Sequence, residues 1–307
     1  MVLNSLFPVF ALLAMGALFK RIGLTTDAFL SAADRLIYFI FFPALLFWKI
    51  GASKGQALPG SGGGAYLWAA ACAVVTIFIL STIYLRLKVT PFQAGSFSQS
   101  CYRFNTYIGM AIIVSALGEE GVRTFGVLIG VLIPLINLLA VSTLTWFAGD
   151  TYPVRQRIQM TVRALVSNPL IAACLAGIAY SRFVGQFPVF IDNLLRLSAS
   201  MSLPLAILSI GGSLTLSSLR GHFSTALAAA VFKLVALPLV GYGFLRWFGV
   251  TGIPYQVTMV FFVLPASTAI YVLSGQLKSD TRLASAAIVL STVLSAIPLS
   301  MVLASFQ

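Results

Sequence analysis

Charge is what this chain has least of. Only 8% of its 307 residues are charged and 59% are hydrophobic; mean hydropathy is +1.00. Soluble domains carry about 25% charged residues, so a soluble globule is excluded. No long polar stretch separates off a soluble domain, which leaves a receptor-like sensor without an appended part to carry its signal. There is one histidine, His222, read as interfacial beside Arg220 rather than as a proton relay. The three cysteines (Cys72, Cys101, Cys174) lie in apolar segments without metal-ligand spacing and read as small packing residues. No nucleophile–base set or carboxylate pair points to catalysis, so the chain is not read as an enzyme and no cofactor is called for. The acidic residues are few as well. Asp27, Asp34, Glu119, Glu120, Asp150, Asp192 and Asp280 are read as loop or span-end residues, with Asp34 at the start of the second span beside Arg35. A cation or proton antiporter needs carboxylates near the membrane centre.

What the chain does have is apolar runs of spanning length, each near the ~20 residues that a bilayer requires. Ten spans are expected near 3–19, 33–50, 65–85, 93–117, 122–148, 164–181, 193–213, 223–247, 255–276 and 283–304. The first is followed, not preceded, by the basic pair Lys20-Arg21, unlike a cleavable signal peptide. Basic residues concentrate in alternate connections: Lys20 and Arg21; Arg86 and Lys88; Arg155, Arg157 and Arg163; Arg220; Lys278 and Arg282. Those loops should be cytoplasmic, with both termini outside. The net charge of +12 is thus read as topology signal and lipid contact, not as nucleic-acid binding.

Five spans per half would make the halves an inverted repeat, residues 1–148 and 164–307 joined by the polar connector 149–163. Arg35, Pro43 and Gly51 in the second span have the spacing of Arg196, Pro204 and Gly212 in the seventh. The glycine-rich run 60–64 reads as a flexible outer loop, and Gly126 and Gly130 as a helix-packing pair.

Two spans in matching places are interrupted. The fourth carries Arg103-Phe104-Asn105-Thr106, and the ninth Leu264-Pro265-Ala266-Ser267-Thr268. Paired interruptions point to a transport site, because each frees backbone groups that lipid cannot satisfy. The candidate substrate-binding residues are Arg103, Asn105, Thr106, Pro265, Ser267, Thr268 and Lys233. An amide at Asn105 offers donors and acceptors together. Pro265 removes a donor and frees a carbonyl, while Ser267 and Thr268 can bond loose backbone. The half-helix after each break would aim its positive end at the crossing. Arg103 and Lys233 lie inside spans, where a lone cation costs at least ~2.5 kcal/mol. Each either attracts an anionic substrate or ties broken-helix carbonyls in place. Asn105 and Thr106 have an interhelical hydrogen bond as their plainer reading.

The run Arg103-Phe104-Asn105-Thr106-Tyr107-Ile108-Gly109 resembles the signature of the auxin efflux carrier family. So do Phe42-Pro43-Ala44-Leu45-Leu46-Phe47, Asn168-Pro169-Leu170 and Leu264-Pro265-Ala266-Ser267-Thr268-Ala269. The resemblance covers all ten spans. Bacterial members are often called malonate or malate permeases, and plant relatives export the auxin anion. It implies an all-α membrane fold like that of sodium/proton antiporters, with broken spans 4 and 9 crossing. Spans 1, 2, 6 and 7 would form a scaffold, and spans 3–5 and 8–10 a moving transport domain. It further implies a homodimer working as an elevator in the bacterial cytoplasmic membrane. This chain departs from plant carriers in having Phe104, not proline, before Asn105. The function expected is secondary transport of a small organic anion, a dicarboxylate or auxin-like carboxylate, with sodium or proton coupling open. The alternative is a sodium- or proton-coupled cation antiporter on the same fold.

Overall fold

The computed structural model describes residues 2–52, 64–147, 155, 159, 162–163, 167–214 and 216–306. Among them the regular elements are all helices, and the sole β contact is an isolated bridge. Seven helical segments of the described residues are long and apolar enough to cross a membrane; Pro169–Phe183 and Gly252–Val263 are shorter apolar helices. Most of the connector 149–163 and of the glycine run, with Lys54, Asp150 and Arg157, lies outside the described residues.

Helix α1 (Val2–Arg21) ends on Lys20 and Arg21, cations suited to its negative end. A turn through Gly23, at φ 78°, and an ion pair between Lys20 and Asp27 lead into α2 (Asp27–Leu36). Thr26 caps α2 by accepting from the Phe29 amide at 3.2 Å. A π turn, Ile37–Phe41, continues directly into α3 (Phe42–Gly51). The cause is Pro43: it has no N–H, and its ring crowds the carbonyl four residues back. Widening the turn by one residue relieves this, and the Phe42 amide reaches Ile37 O instead. The same device recurs in α9 (Phe223–Val231), the π turn Phe232–Ala236 and α10 (Leu237–Trp247), where Pro238 follows.

The second span therefore starts at Asp27, not near residue 33. Asp34 stands seven residues inside a continuous helix, which corrects its expected position at a span end. The short polar opening of α2 hid this, because its hydrophobic character lies on one face only.

Helix α4 (Ala65–Lys88) precedes α5 (Pro91–Tyr102) and α6 (Thr106–Phe147). Within α6, Gly118 takes φ 60° and ψ −153°, so the element is two helices meeting at a kink. The second half holds α7 (Pro169–Phe183), capped by Asn168, and α8 (Val189–Ser213). After α10 come α11 (Gly252–Val263), α12 (Ala269–Gln276), α13 (Thr281–Leu294) and α14 (Ala296–Ala304).

Small residues set the packing. At Gly16 a Cβ would lie 2.0 Å from Leu208 O, and at Gly211 one would lie 2.1 Å from Leu13 O, so α1 and α8 touch backbone to backbone. Gly126 and Gly177 both receive Ile50 of α3, and Cys174 Sγ meets Gly126 O at 3.5 Å. Gly126 and Cys174 thus act in packing, as expected. At one end of the molecule Trp48 donates to Asp192 at 2.7 Å, and Lys49 pairs with Glu119 at 2.5 Å. These tie α3 to α8 on one side and to α6 on the other.

Candidate functional site

Helix α5 ends at Tyr102 and α6 begins at Thr106; between them the chain is extended. Helix α11 ends at Val263 and α12 begins at Ala269. The two breaks meet. Phe104 and Ala266 form an antiparallel bridge, and the Asn105 amide donates to Pro265 O at 2.9 Å. The crossing expected from the sequence is present, with Asn105 and Pro265 at its centre.

The freed backbone groups find partners on every side. Asn105 Oδ1 accepts from the Tyr107 and Ile108 amides, each at 3.1 Å, and so caps α6. The Arg103 amide bonds Gln99 O at 2.8 Å, ending α5. Ala266 N donates to Ser291 Oγ of α13 at 3.0 Å. Ser267 Oγ accepts from the Ala269 amide at 3.3 Å and opens α12. Thr268 makes no side-chain cap bond. Phe104, buried, stands edge-on to Phe261 at 4.6 Å and to Phe125 at 6.2 Å. An aromatic anchor thus stands where plant carriers have proline.

Lys233 answers a question that the sequence left open. It is fully buried, and its Nζ donates to Phe262 O at 3.0 Å while lying 5.7 Å from the Phe261 ring centre. Phe262 O belongs to the last turn of α11, at the negative end of that half-helix. The ammonium therefore ties a broken-helix carbonyl in place and is closed off from solvent in this conformation. Arg103 holds the equivalent place at the end of α5, but differently. It is half-buried, and one guanidinium nitrogen donates to Gln99 Oε1 at 3.3 Å, with the Tyr38 and Tyr102 hydroxyls in electrostatic range.

One donor at the crossing is left over. Asn105 is 1% exposed, and its Nδ2 has no partner among the described residues. A buried amide donor without a partner costs roughly 1–3 kcal/mol. Around it Arg103, Thr106, Ser267 and Thr268 are half-buried. The structure thus brings six of the seven candidates to one place and sets Lys233 behind them as a support. A recess of about 250 Å³ lined by Phe92, Leu144 and Lys278 lies near the start of α5, about 18 Å from the break at 1.5 Å per residue.

Sequence reasoning missed three parts of this region. Gln99 and Ser96 of α5 are buried, and Ser96 bonds Ser274 at 2.8 Å; the polar run 95–100 inside an expected span was the signal. Ser291 had no distinguishing signal. Asp34 was noticed but placed at a span end. It lies beside the Ser209 hydroxyl and in electrostatic range of Tyr107, one residue into the helix that follows the first break. One carboxylate, that of Asp34, thus lies in electrostatic range of the first turn of α6.

Two interrupted helices crossing inside an apolar, all-helical chain are the build of a membrane transport protein. A family model described as membrane transport protein, that of the auxin efflux carriers, matches residues 1–303, and the chain belongs to this family. A comparison with curated proteins finds no match.

Proposed function

We propose that this transporter is a secondary carrier of small organic anions and that its substrate carboxylate sits at the crossing. The observation that carries the reading is the unpartnered Nδ2 of buried Asn105, a donor that an anion's oxygen would satisfy. Arg103 and the N-terminal ends of α6 and α12 favour the same sign of charge. Thr106, Ser267 and Thr268 would supply hydroxyls, Pro265 its backbone, and Lys233 the charge that keeps α11 in place.

In this reading the shorter helices and the two broken ones complete ten spans. Residues 1–148 and 164–307 form inverted repeats joined through 149–163. Spans 1, 2, 6 and 7 serve as scaffold, and spans 3–5 and 8–10 move as an elevator within a homodimer. Both termini face the outer side of a bacterial cytoplasmic membrane. The test is binding of radiolabelled malate, malonate and indole-acetate to purified protein, with Asn105→Ala alongside. Binding of at least one anion, lost in the variant, is expected; tight binding of a cation with indifference to all anions would sink the proposal.

A cation antiporter is the second reading, and Asp34 beside Tyr107 is what favours it. It ranks below the first because the groups nearest the break are a spare amide donor and a guanidinium, neither of which can hold a cation.

A further inference from the structure

Hydrogen bonds and close glycine contacts tie the helices into two sets. In the first, α1 and α8 touch backbone to backbone, and a Cβ at Gly177 of α7 would lie 3.3 Å from Phe47 O of α3. Trp48 of α3 holds Asp192 of α8, and Ser209 of α8 lies 3.4 Å from Leu30 O of α2. In the second, the bridge between Phe104 and Ala266 joins α5 and α6 to α11 and α12. There Ser96 of α5 also bonds Ser274 of α12, and Gln93 donates to Asp280, at the start of α13, at 3.2 Å. The Tyr84 ring of α4 stacks on Phe97 of α5 at 5.4 Å.

The two sets meet at the end of the molecule that holds Trp48. Ser115 Oγ of α6 lies 3.3 Å from Ser5 Oγ and 3.4 Å from Asn4 O of α1. Cys174 Sγ of α7 reaches Gly126 O of α6 at 3.5 Å. These are long, uncharged bonds. The pair of Lys49 with Glu119, at 2.5 Å, is charged and short. Each set positions one partner. Lys49 Nζ lies 4.3 Å from the centre of the Trp48 ring, and that indole is fixed by Asp192. Glu119 follows Gly118, so its carboxylate stands at the tip of the α6 kink. The Glu119 side chain is 64% exposed, which limits such a pair to a bias of up to about fivefold in an equilibrium. A bias of that size favours one conformation and still breaks thermally.

We propose that the Lys49–Glu119 pair is a latch. It holds the two sets together at the Trp48 end, biases the protein toward the conformation described here, and parts when the sets move. From the carrier reading it takes only that motion.

The experiment is labelling of the full-length protein, purified in detergent, with a membrane-impermeant maleimide. The reporter is Ser5→Cys in a background without Cys72, Cys101 and Cys174. Ser5 is buried at the seam between the sets, so its labelling reads their separation. Glu119→Gln should label about two- to fivefold faster than the parent. The exchanged pair, Lys49→Glu with Glu119→Lys, should bring the rate back toward the parent's. Salt at about 1 M, where the screening length falls to about 3 Å, should speed labelling of the parent and leave Glu119→Gln unchanged. The salt arm on the parent decides the point even if a variant fails to fold. Equal rates with and without the pair overturn the latch, and so does a rise in Glu119→Gln that the exchange does not reverse and salt does not reproduce. No labelling in any arm, with full labelling after denaturation, overturns the motion of the sets and the latch with it. No substrate enters the measurement, so the anion reading stands or falls separately, on its own binding test.

Discussion

Asn105 does two jobs with two ends of one amide. Its Oδ1 caps α6 through two amides at 3.1 Å, while its Nδ2 is left without a partner among the described residues. The two roles are separable by substitution. Asn105→Asp keeps the capping oxygen and even suits the helix dipole, but it replaces the spare donor with negative charge. Near-wild-type thermal stability with anion affinity reduced at least ~tenfold is expected, by scintillation proximity with the labelled acids. Asn105→Ala, by contrast, should also lose about 0.5–2 kcal/mol of stability with the cap. Lys233 is a different kind of residue, since it is fully buried on the Phe262 carbonyl. Lys233→Ala orphans that carbonyl and opens a cavity, so its melting temperature should fall well below that of Lys233→Arg, in which a charged donor is retained.

Elements here are defined as much by where they stop as by where they run. Proline sets the two π turns, and Gly118 sets the kink in α6 at a backbone geometry that glycine alone adopts readily. A Cβ at Gly118 would meet nothing within 4 Å. Gly118→Ala should therefore cost about 1–3 kcal/mol through backbone strain alone, seen as a lower unfolding midpoint with unchanged ligand specificity. Gly211 is the opposite case: its conformation is ordinary, but Leu13 O lies 2.1 Å from where a Cβ would sit. Gly211→Val must part α1 from α8. Loss of folded protein on size-exclusion chromatography is the expected outcome.

For the whole molecule, orientation is the open physical question, and charge bias supplies a definite expectation. Leu24, in the turn after α1, and Val184, after α7, are both exposed. In a background without Cys72, Cys101 and Cys174, a cysteine replacing Val184 should react in intact cells with a membrane-impermeant maleimide. One replacing Leu24 should react only after permeabilisation. The reverse pattern would invert the topology. Binding of an anion to the folded state alone should raise apparent stability by about 2.7 kcal/mol at a hundredfold excess over Kd, whichever way the protein faces.

The sequence by itself determined the solvent, the all-helical build, the two interruptions and the residues at their centre. Hydropathy and backbone chemistry are local properties, and lipid leaves few alternatives once they are written. Only the tertiary structure decided which polar groups are already satisfied. Asn105 stands in a polar interruption and Lys233 in an apolar run, but neither setting says which of the two keeps a free donor. One keeps a free donor because no acceptor among the described residues lies beside it; the other has lost its freedom to a carbonyl on a helix 29 residues away in the chain. Asp34 shows the same limit from another side. Its depth depended on a Thr26 cap and a π turn that extend the helix past the apolar run, and its company at Tyr107 depended on how that helix packs. Such pairings are long-range, so periodicity and spacing along the chain carry no record of them.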